Sequence, residues 1–181
     1  MSLFIVSILI FVEILLVLVF TVFFGQMFIS FLVKVPTINS KRIIVKKIVK
    51  LGLKPGTTFI DLGCNDAKLI GELSKIFPTI KFIGVEKNIF SVLLAKINNK
   101  IFYQNRIDLR SEDIFKTDLS RADYIYMYLY PEVVDNLKPH ILRSAKKNAI
   151  IISNSFPLKD IKPTKTLLGG KSLETLYVYE L

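Results

Sequence analysis

The sequence predicts an α/β fold, in which one N-terminal transmembrane helix precedes a mostly parallel sheet. Three observations support this prediction. The chain opens with a long apolar run, strand and helix patterns alternate after it, and two strand patterns surround a glycine pair near the C-terminus. Such alternation is typical of a Rossmann-like, doubly wound sheet, here of seven strands, to which the C-terminal hairpin adds antiparallel pairing.

The apolar run, Leu3–Val33, contains a single ionisable residue, Glu13. About 20 apolar residues are enough to cross a hydrocarbon core of roughly 30 Å, so residues 1–33 are predicted to form a transmembrane anchor. A cleaved signal peptide has a basic start and a shorter apolar region, and a core helix of a small domain is not apolar all round. Glu13 either lies near the outer interface or contacts another membrane protein.

The charges that flank the run predict its orientation. Basic residues follow it and none precedes it: Lys34, Lys41, Arg42, Lys46, Lys47 and Lys50. The positive-inside rule therefore predicts a single-pass protein of the cell (inner) membrane, with its C-terminal domain in the cytoplasm and the lipid bilayer as a partner. The net charge is +10, but the other lysines are scattered without an aromatic platform, so no nucleic-acid partner is expected.

Residues 34–56 are predicted to form a juxtamembrane linker and an amphipathic helix. The linker contains Val35-Pro36-Thr37, the helix begins at Asn39 or Ser40, and it ends near Leu51, before a Pro-Gly turn.

Residues 57–181 are predicted to form the main domain. Its parallel strands are predicted at Thr57–Leu62, Lys81–Glu86, Ile107–Arg110, Ala122–Leu129 and Ala149–Ser153. The helices between them are predicted at Asp66–Phe77, Ile89–Asn98 and Pro131–Ala145, and the hairpin strands at Lys165–Leu168 and Leu173–Glu180, around Gly169-Gly170.

The ends of the first three strands carry side chains that suit an adenosine. Gly63, after the first strand, permits a tight turn and a close backbone approach, but the three glycines of a dinucleotide fingerprint are not present. Glu86 ends the second strand and is placed to accept both hydroxyls of a ribose. Asp113, after the third, can accept a hydrogen bond from an adenine amino group, while Ile114 or Phe115 packs near the ring.

Four segments in order, DLGCNDAK (61–68), GVEKN (84–88), SEDIF (111–115) and DYIYMYLYP (123–131), resemble the class I, seven-strand methyltransferases. The chain is similar in particular to small membrane-anchored protein-lysine methyltransferases, related to the mitochondrial enzymes that modify the ATP synthase c-subunit and the adenine nucleotide translocator. The V-P-T segment at 35–37 and Phe156-Pro157 also match that family's pattern.

The resemblance implies an S-adenosyl-L-methionine-dependent enzyme that methylates a lysine side chain of a protein substrate, itself membrane-associated. The cofactor-binding residues that it implies are Asp61, Gly63, Asn65, Asp66, Glu86, Lys87, Asp113 and Ile114. The implied catalytic residues are Tyr128, Tyr130 and Pro131. The chain departs from the family pattern at Asn65, Ala67 and Lys68, where that pattern has Gly, Gly and Arg, and Ala67 adds a methyl group near the expected methionine end of the cofactor.

Alternatives remain open at two points. Tyr128 and Tyr130 lie on one face of the fourth strand, where they either line the acceptor site or pack under a helix. The function is alternatively methylation of a lipid or quinone, or binding by a methyltransferase fold without turnover. His140 lies within a predicted helix and Cys64 in a loop without a nearby histidine, so neither is expected to be catalytic, and no metal site is expected.

Overall fold

The computed structural model describes residues 3–32, 38–169 and 175–181, with side chains described over 4–26 and from residue 42 onward in those ranges. The chain divides into two compact units, Met1–Thr37 and Ile38–Leu181. The predicted Val35-Pro36-Thr37 linker, Gly170 of the predicted turn and the start of the last predicted strand lie outside the described residues.

The first unit contains one helix, α1 (Leu3–Leu32). Its segment Phe4–Gln26 is 23 residues long, has a mean hydropathy of 3.0 and has none of its side chains buried by the protein. At ~1.5 Å per residue this segment measures roughly 35 Å, which is long enough to cross a bilayer. Length and composition suit a membrane anchor and a signal sequence alike, so they are weak evidence for either.

The second unit contains a seven-stranded sheet in the order β3-β2-β1-β4-β5-β7-β6. The helices are α2 (Ile38–Lys50), α3 (Lys68–Ile76), α4 (Ile89–Phe102) and α5 (Pro131–Ser144). The strands are β1 (Thr58–Leu62), β2 (Lys81–Val85), β3 (Ile107–Arg110), β4 (Tyr124–Met127), β5 (Ile150–Asn154), β6 (Lys165–Leu167) and β7 (Leu176–Glu180). Strands β1 to β5 are parallel, and β7 is antiparallel to both β5 and β6. The predicted mostly parallel α/β sheet with its C-terminal antiparallel hairpin is confirmed.

The sheet is covered on both faces, which explains why its central strands are apolar throughout. On one face, apolar residues of α2, α3 and α4 pack with side chains of β1, β2 and β4 in a core cluster that includes Ile48, Leu73, Ala95 and Phe82. On the other face α5 packs with the alternate side chains of the same strands. Because α2 contributes to the first cluster, it is part of the packed domain.

Two of the helix boundaries that differ from the sequence prediction have a cause that the structure shows. Helix α3 begins at Lys68 instead of Asp66, because Ala67 has a left-handed backbone with φ of 56°. Helix α4 continues past Asn98 to Phe102. It continues because the buried Asn99 side chain exchanges two hydrogen bonds with the backbone of Ile107, at 2.8 and 3.3 Å, so this asparagine does not end the helix.

Gly71 of α3 lies directly against the buried ring of Tyr103, so we expect Gly71→Ala to destabilise the domain. An added Cβ would lie 2.3 Å from the ring atom Cε2, which no real contact allows. Overpacking of this kind costs typically 1–3 kcal/mol, so thermal unfolding of the full chain in detergent should occur several degrees lower. The matched control is the Tyr103→Ala chain, in which adding Gly71→Ala should cause little further loss. If Gly71→Ala lowers the unfolding temperature equally in the parent chain and in the Tyr103→Ala chain, this contact is not the cause.

Candidate active site

The candidate site lies at the carboxyl ends of β1, β2, β3 and β4, beside the point where the strand order reverses between β1 and β4. In open α/β sheets this crevice is where ligands bind, because adjacent loops diverge there. All eight predicted cofactor-binding residues lie in or directly after β1, β2 or β3.

The loop after β1 folds back toward β2. The backbone N–H groups of Gly63 and Cys64 both donate to the Val85 carbonyl oxygen, at 2.9 and 3.0 Å. Gly63 has φ of 80°, and a Cβ there would lie 2.8 Å from Leu129 Cδ2. Glycine is therefore required at this position, both for the backbone conformation and for the close approach of the chain after β4. Asn65, with φ of 50°, keeps the turn, since asparagine tolerates the left-handed region.

Ala67 also has a left-handed backbone, but its side chain is fully buried and belongs to the core cluster under α3. Its methyl group therefore packs inside the domain and is not exposed on the loop surface. Asp66 holds the same loop, since its carboxylate pairs with Lys68 Nζ at 2.9 Å and accepts the Lys68 backbone N–H at 3.3 Å.

We expect Ala67→Gly to change the affinity for the cofactor by less than about threefold. Glycine relieves a left-handed strain of roughly 1–2 kcal/mol but removes a buried methyl group worth about 0.8 kcal/mol, so the two effects nearly cancel. Calorimetric titration of the full chain in detergent checks this, with the exposed Asn65→Gly as the companion variant. A tenfold gain in affinity for Ala67→Gly would instead show that the methyl group obstructs the site.

Glu86 joins the β1 loop to the turn after β2. One oxygen of its carboxylate accepts the Asn88 backbone N–H at 2.8 Å, and the other accepts the Asn65 backbone N–H at 3.1 Å. Asp61, at the end of β1, is almost fully buried. Burial raises the pKa of the Cys64 thiol far above its ordinary value, and the carboxylates of Asp61 and Glu86 raise that pKa further, so this cysteine stays protonated.

The segment after β3 is tied to the turn after β2. Lys87 Nζ lies 3.0 Å from Asp113 Oδ2, and the other oxygen of Asp113 accepts the Phe115 backbone N–H at 3.1 Å. The backbone hydrogen bond from Phe115, followed by the hydrogen bond from Lys87, lowers the pKa of Asp113 below its usual range. Ile114 is half-buried against the α5-side core, whereas Phe115 is 41% exposed.

Four tyrosines were predicted to alternate along the fourth strand, but β4 ends at Met127, so Tyr124 and Tyr126 lie in the strand whereas Tyr128 and Tyr130 follow it. Burial, and next the charge of Asp61, raise the pKa of Tyr126 well above its ordinary value, although the Asn154 side chain hydrogen-bonds to its hydroxyl. The ring of Tyr128 is half-buried and stacks on Phe156, with centroids 6.5 Å apart and planes 10° from parallel. Tyr130 is 58% exposed, and it precedes Pro131, which begins α5.

Three residues at the end of β5 and directly after it reach this group and were not predicted as site residues. Asn154 hydrogen-bonds to Tyr126, Ser155 hydrogen-bonds to Tyr128, and Phe156 stacks on Tyr128. Ser155 has φ of 69°, which turns the chain sharply at the strand end. The strand-end argument used for β1 to β3 would have found them, because they lie at the carboxyl end of β5, at the same edge of the sheet.

The arrangement fits a nucleoside-bearing cofactor without a diphosphate. Acidic side chains at the ends of β2 and β3 supply acceptors for ribose and adenine, and Gly63 allows the tight loop between them and β4. Among the described residues, no cluster of three or more His, Cys, Asp or Glu side chains has the arrangement of a metal site.

Comparisons with known proteins found matches among methyltransferases. The ANTKMT methyltransferase domain family matches residues 61–165. A protein-lysine N-methyltransferase of Saccharolobus islandicus is 25% identical over 154 residues, which cover 83% of this chain and 96% of that protein. A ribosomal protein L11 methyltransferase of Thermosipho africanus is 27% identical over 108 residues, which cover 59% of this chain and 40% of that protein.

Solved structures show the same fold. The RNA methyltransferase from Salinibacter ruber, in complex with S-adenosyl-L-homocysteine, superposes with a TM-score of 0.72 at 23% identity, over 81% of this chain and 93% of that one. One conclusion follows from the strand order, from the residues at the strand ends and from the family match. The chain belongs to the ANTKMT methyltransferase domain family and is an S-adenosyl-L-methionine-dependent methyltransferase.

Proposed function

We propose that this methyltransferase is a protein-lysine N-methyltransferase, anchored in the cell membrane by α1 and acting on a membrane-associated protein from the cytoplasmic face. The observation that carries the choice of lysine is the match to the Saccharolobus islandicus protein, which is named for that activity and is covered almost completely. The stacked pair of Tyr128 and Phe156 supports it, since aromatic faces attract a cationic amine.

The proposed cofactor residues divide the binding of S-adenosyl-L-methionine between three strand ends. The cofactor supplies a methyl group on a cationic sulfur, ready for in-line transfer to a nucleophile. Glu86 binds the ribose hydroxyls, and Asp113, held by Lys87, accepts from the adenine amino group beside Ile114. Asp61 and Gly63 lie on the methionine and ribose side, while Asn65 and Asp66 hold the loop that carries them.

The proposed catalytic residues orient the acceptor and keep water away. Tyr128 and Phe156 present a half-buried aromatic surface, against which the stem and amine of a lysine pack. Removal of water disfavours the charged amine, so the neutral, nucleophilic form becomes easier to reach. Tyr130 is exposed at the rim, and Pro131 fixes the start of α5 beneath it. Proximity and orientation supply most of the rate gain in such a transfer.

The proposed anchor explains the substrate class. A helix that holds the enzyme at the membrane restricts its search to targets near the surface, and it raises their effective concentration. The basic residues after the span favour the cytoplasmic side. In this arrangement, residues 1–33 are the anchor, 34–56 connect it, and 57–181 carry the chemistry.

A labelling experiment tests the proposal. The purified full chain in detergent is incubated with cofactor carrying a radioactive methyl group, together with membrane proteins or soluble proteins of the same organism. We expect label in a membrane protein, on a lysine located by mass spectrometry, and none with Glu86→Ala. Label that extracts into organic solvent would support the lipid alternative. No label, from a chain that binds the cofactor, would support the binding module.

A further inference from the structure

The outer surface of α4 is unusually apolar for a helix of a folded domain. It exposes seven apolar side chains: Phe102 at its last residue, and the six residues Ile89, Phe90, Leu93, Leu94, Ile97 and Ile101. Each is more than two-fifths exposed, and Ile89 reaches 76%. We call these six residues the α4 outer face. Contiguous exposed apolar surface of this kind marks a site that binds a protein, a membrane or a ligand.

The α4 outer face lies opposite the side of the helix that packs on the sheet. At 100° per residue the six side chains form one stripe, whereas the buried Val92, Ala95 and Asn99 form a second stripe on the far side. No described element covers the outer stripe in the second unit. The helix therefore has apolar residues on two sides, of which the sheet explains only one.

The α4 outer face has positively charged side chains along its edge. Helix α4 contains no acidic residue, and both of its basic residues, Lys96 and Lys100, are exposed along one edge of the outer stripe. Neither lysine makes an ion pair with a described residue. An apolar stripe with unpaired lysines at its edge is the pattern of a helix that lies in the interface of an anionic membrane.

We propose that the α4 outer face docks on an anionic lipid surface, with its apolar side chains inserted at the headgroup boundary and Lys96 and Lys100 at the phosphates. The proposal rests on the membrane anchor proposed above. Helix α4 lies on the same face of the sheet as α2, which begins only six residues after α1 ends. Because only five residues separate α1 from α2 in the sequence, the proposed anchor would tether this domain to the bilayer.

A second copy of the chain is a poorer occupant of this face. A two-fold symmetric contact through α4 would bring the lysines of both copies to the same interface, with no acidic residue on either helix to pair with them. Lipid phosphates supply the missing negative charge.

Docking would also set the position of the active site. Helix α4 is capped by Asn88, whose backbone N–H donates to Glu86, so the helix start and the proposed ribose site form one structure. A domain that lies on α4 presents its strand ends close to the membrane surface. The reachable lysines would then be those at the headgroup level of a membrane protein.

Tryptophan fluorescence tests the proposal directly, because the full chain contains no tryptophan. Leu93→Trp reports on the α4 outer face, Phe11→Trp on the anchor, and Leu142→Trp on the exposed side of α5 as the matched control. Each chain is reconstituted in vesicles of phosphatidylcholine and phosphatidylglycerol, with and without bromine near the headgroup end of the acyl chains. We expect the bromine to quench Leu93→Trp roughly twofold and to leave Leu142→Trp nearly unchanged.

The outcomes separate the two proposals. If Phe11→Trp is quenched and Leu93→Trp is not, docking is overturned and the anchor stands. If Leu93→Trp is quenched and Phe11→Trp is not, the anchor is overturned and docking stands. Blue-shifted but unquenched emission from Leu93→Trp would show that protein covers the face, and would also overturn docking. In the Leu93→Trp chain, Lys96→Glu together with Lys100→Glu should reduce the quenching to the control level, and unchanged quenching would contradict the role of the lysines.

Discussion

Glu86→Ala is expected to weaken binding of S-adenosyl-L-methionine by roughly 100-fold or more. The Glu86 carboxylate joins the Asn65 and Asn88 backbone amides, and in the proposed site it also accepts the ribose hydroxyls. Each hydrogen bond to a charged acceptor is worth about 1.5–3 kcal/mol, and 1.4 kcal/mol is a tenfold change in affinity. Calorimetric titration of the full chain in detergent, with the cofactor and with S-adenosyl-L-homocysteine, measures the loss.

The matched control removes a carboxylate elsewhere. Glu72 is an exposed residue of α3 whose carboxylate pairs with Lys75 at 3.0 Å, so Glu72→Ala makes the same change of charge away from the strand ends. Its affinity should stay within about threefold of the parent, as expected for an exposed ion pair. Glu86→Gln should fall between the two, because the amide keeps one acceptor oxygen. Equal affinity of Glu86→Ala and the parent would remove Glu86 from the cofactor site.

The sheet could be predicted because its strands are nearly continuous apolar runs separated by turn residues and helix patterns. The start of α3 was harder to predict. Alanine rarely adopts a left-handed backbone, so only the core around Ala67 explains why the helix begins at Lys68, two residues later than predicted. The end of α4 depends on Asn99, whose pairing with Ile107 is a contact between two elements that sequence pattern does not show.

The position of the acidic residues at the strand ends could also be predicted, since a carboxylate after a buried strand is conspicuous. The residues at the end of β5 and after it are neutral and carry no such signal. Their contacts with the tyrosines depend on strand register: Met127 is opposite Ser153, so the residues that follow β4 and β5 meet at the same edge. Asn154 and Phe156 reach Tyr126 and Tyr128 for that reason.

Tyr128→Ala is expected to lower kcat for the protein substrate about 100-fold, while the affinity for the cofactor changes by less than threefold. The ring of Tyr128 stacks on Phe156 and is half-buried. Without this ring, the acceptor amine is free to move and remains hydrated. A displacement of about 1 Å can cost 10²-fold in rate. Tyr177→Ala is the matched control, because Tyr177 is also half-buried but packs on the α5 side of the sheet. Its kcat should be nearly unchanged.

The pH dependence of kcat/KM distinguishes two roles of Tyr128, which are to orient the acceptor amine and to accept its proton. Burial raises the pKa of Tyr128 above its ordinary value of 10.0, against a smaller opposite effect of its hydrogen bond with Ser155, so the phenol stays protonated up to and beyond pH 10. A rise of kcat/KM with pH below that value therefore reports the acceptor amine, whose neutral fraction increases tenfold per pH unit below its own pKa. Tyr128→Phe should keep both the stacking and this slope, with a modest loss of rate. A flat profile in Tyr128→Phe would show instead that the hydroxyl takes the proton, and that Tyr128 acts as a base and not by orienting the amine.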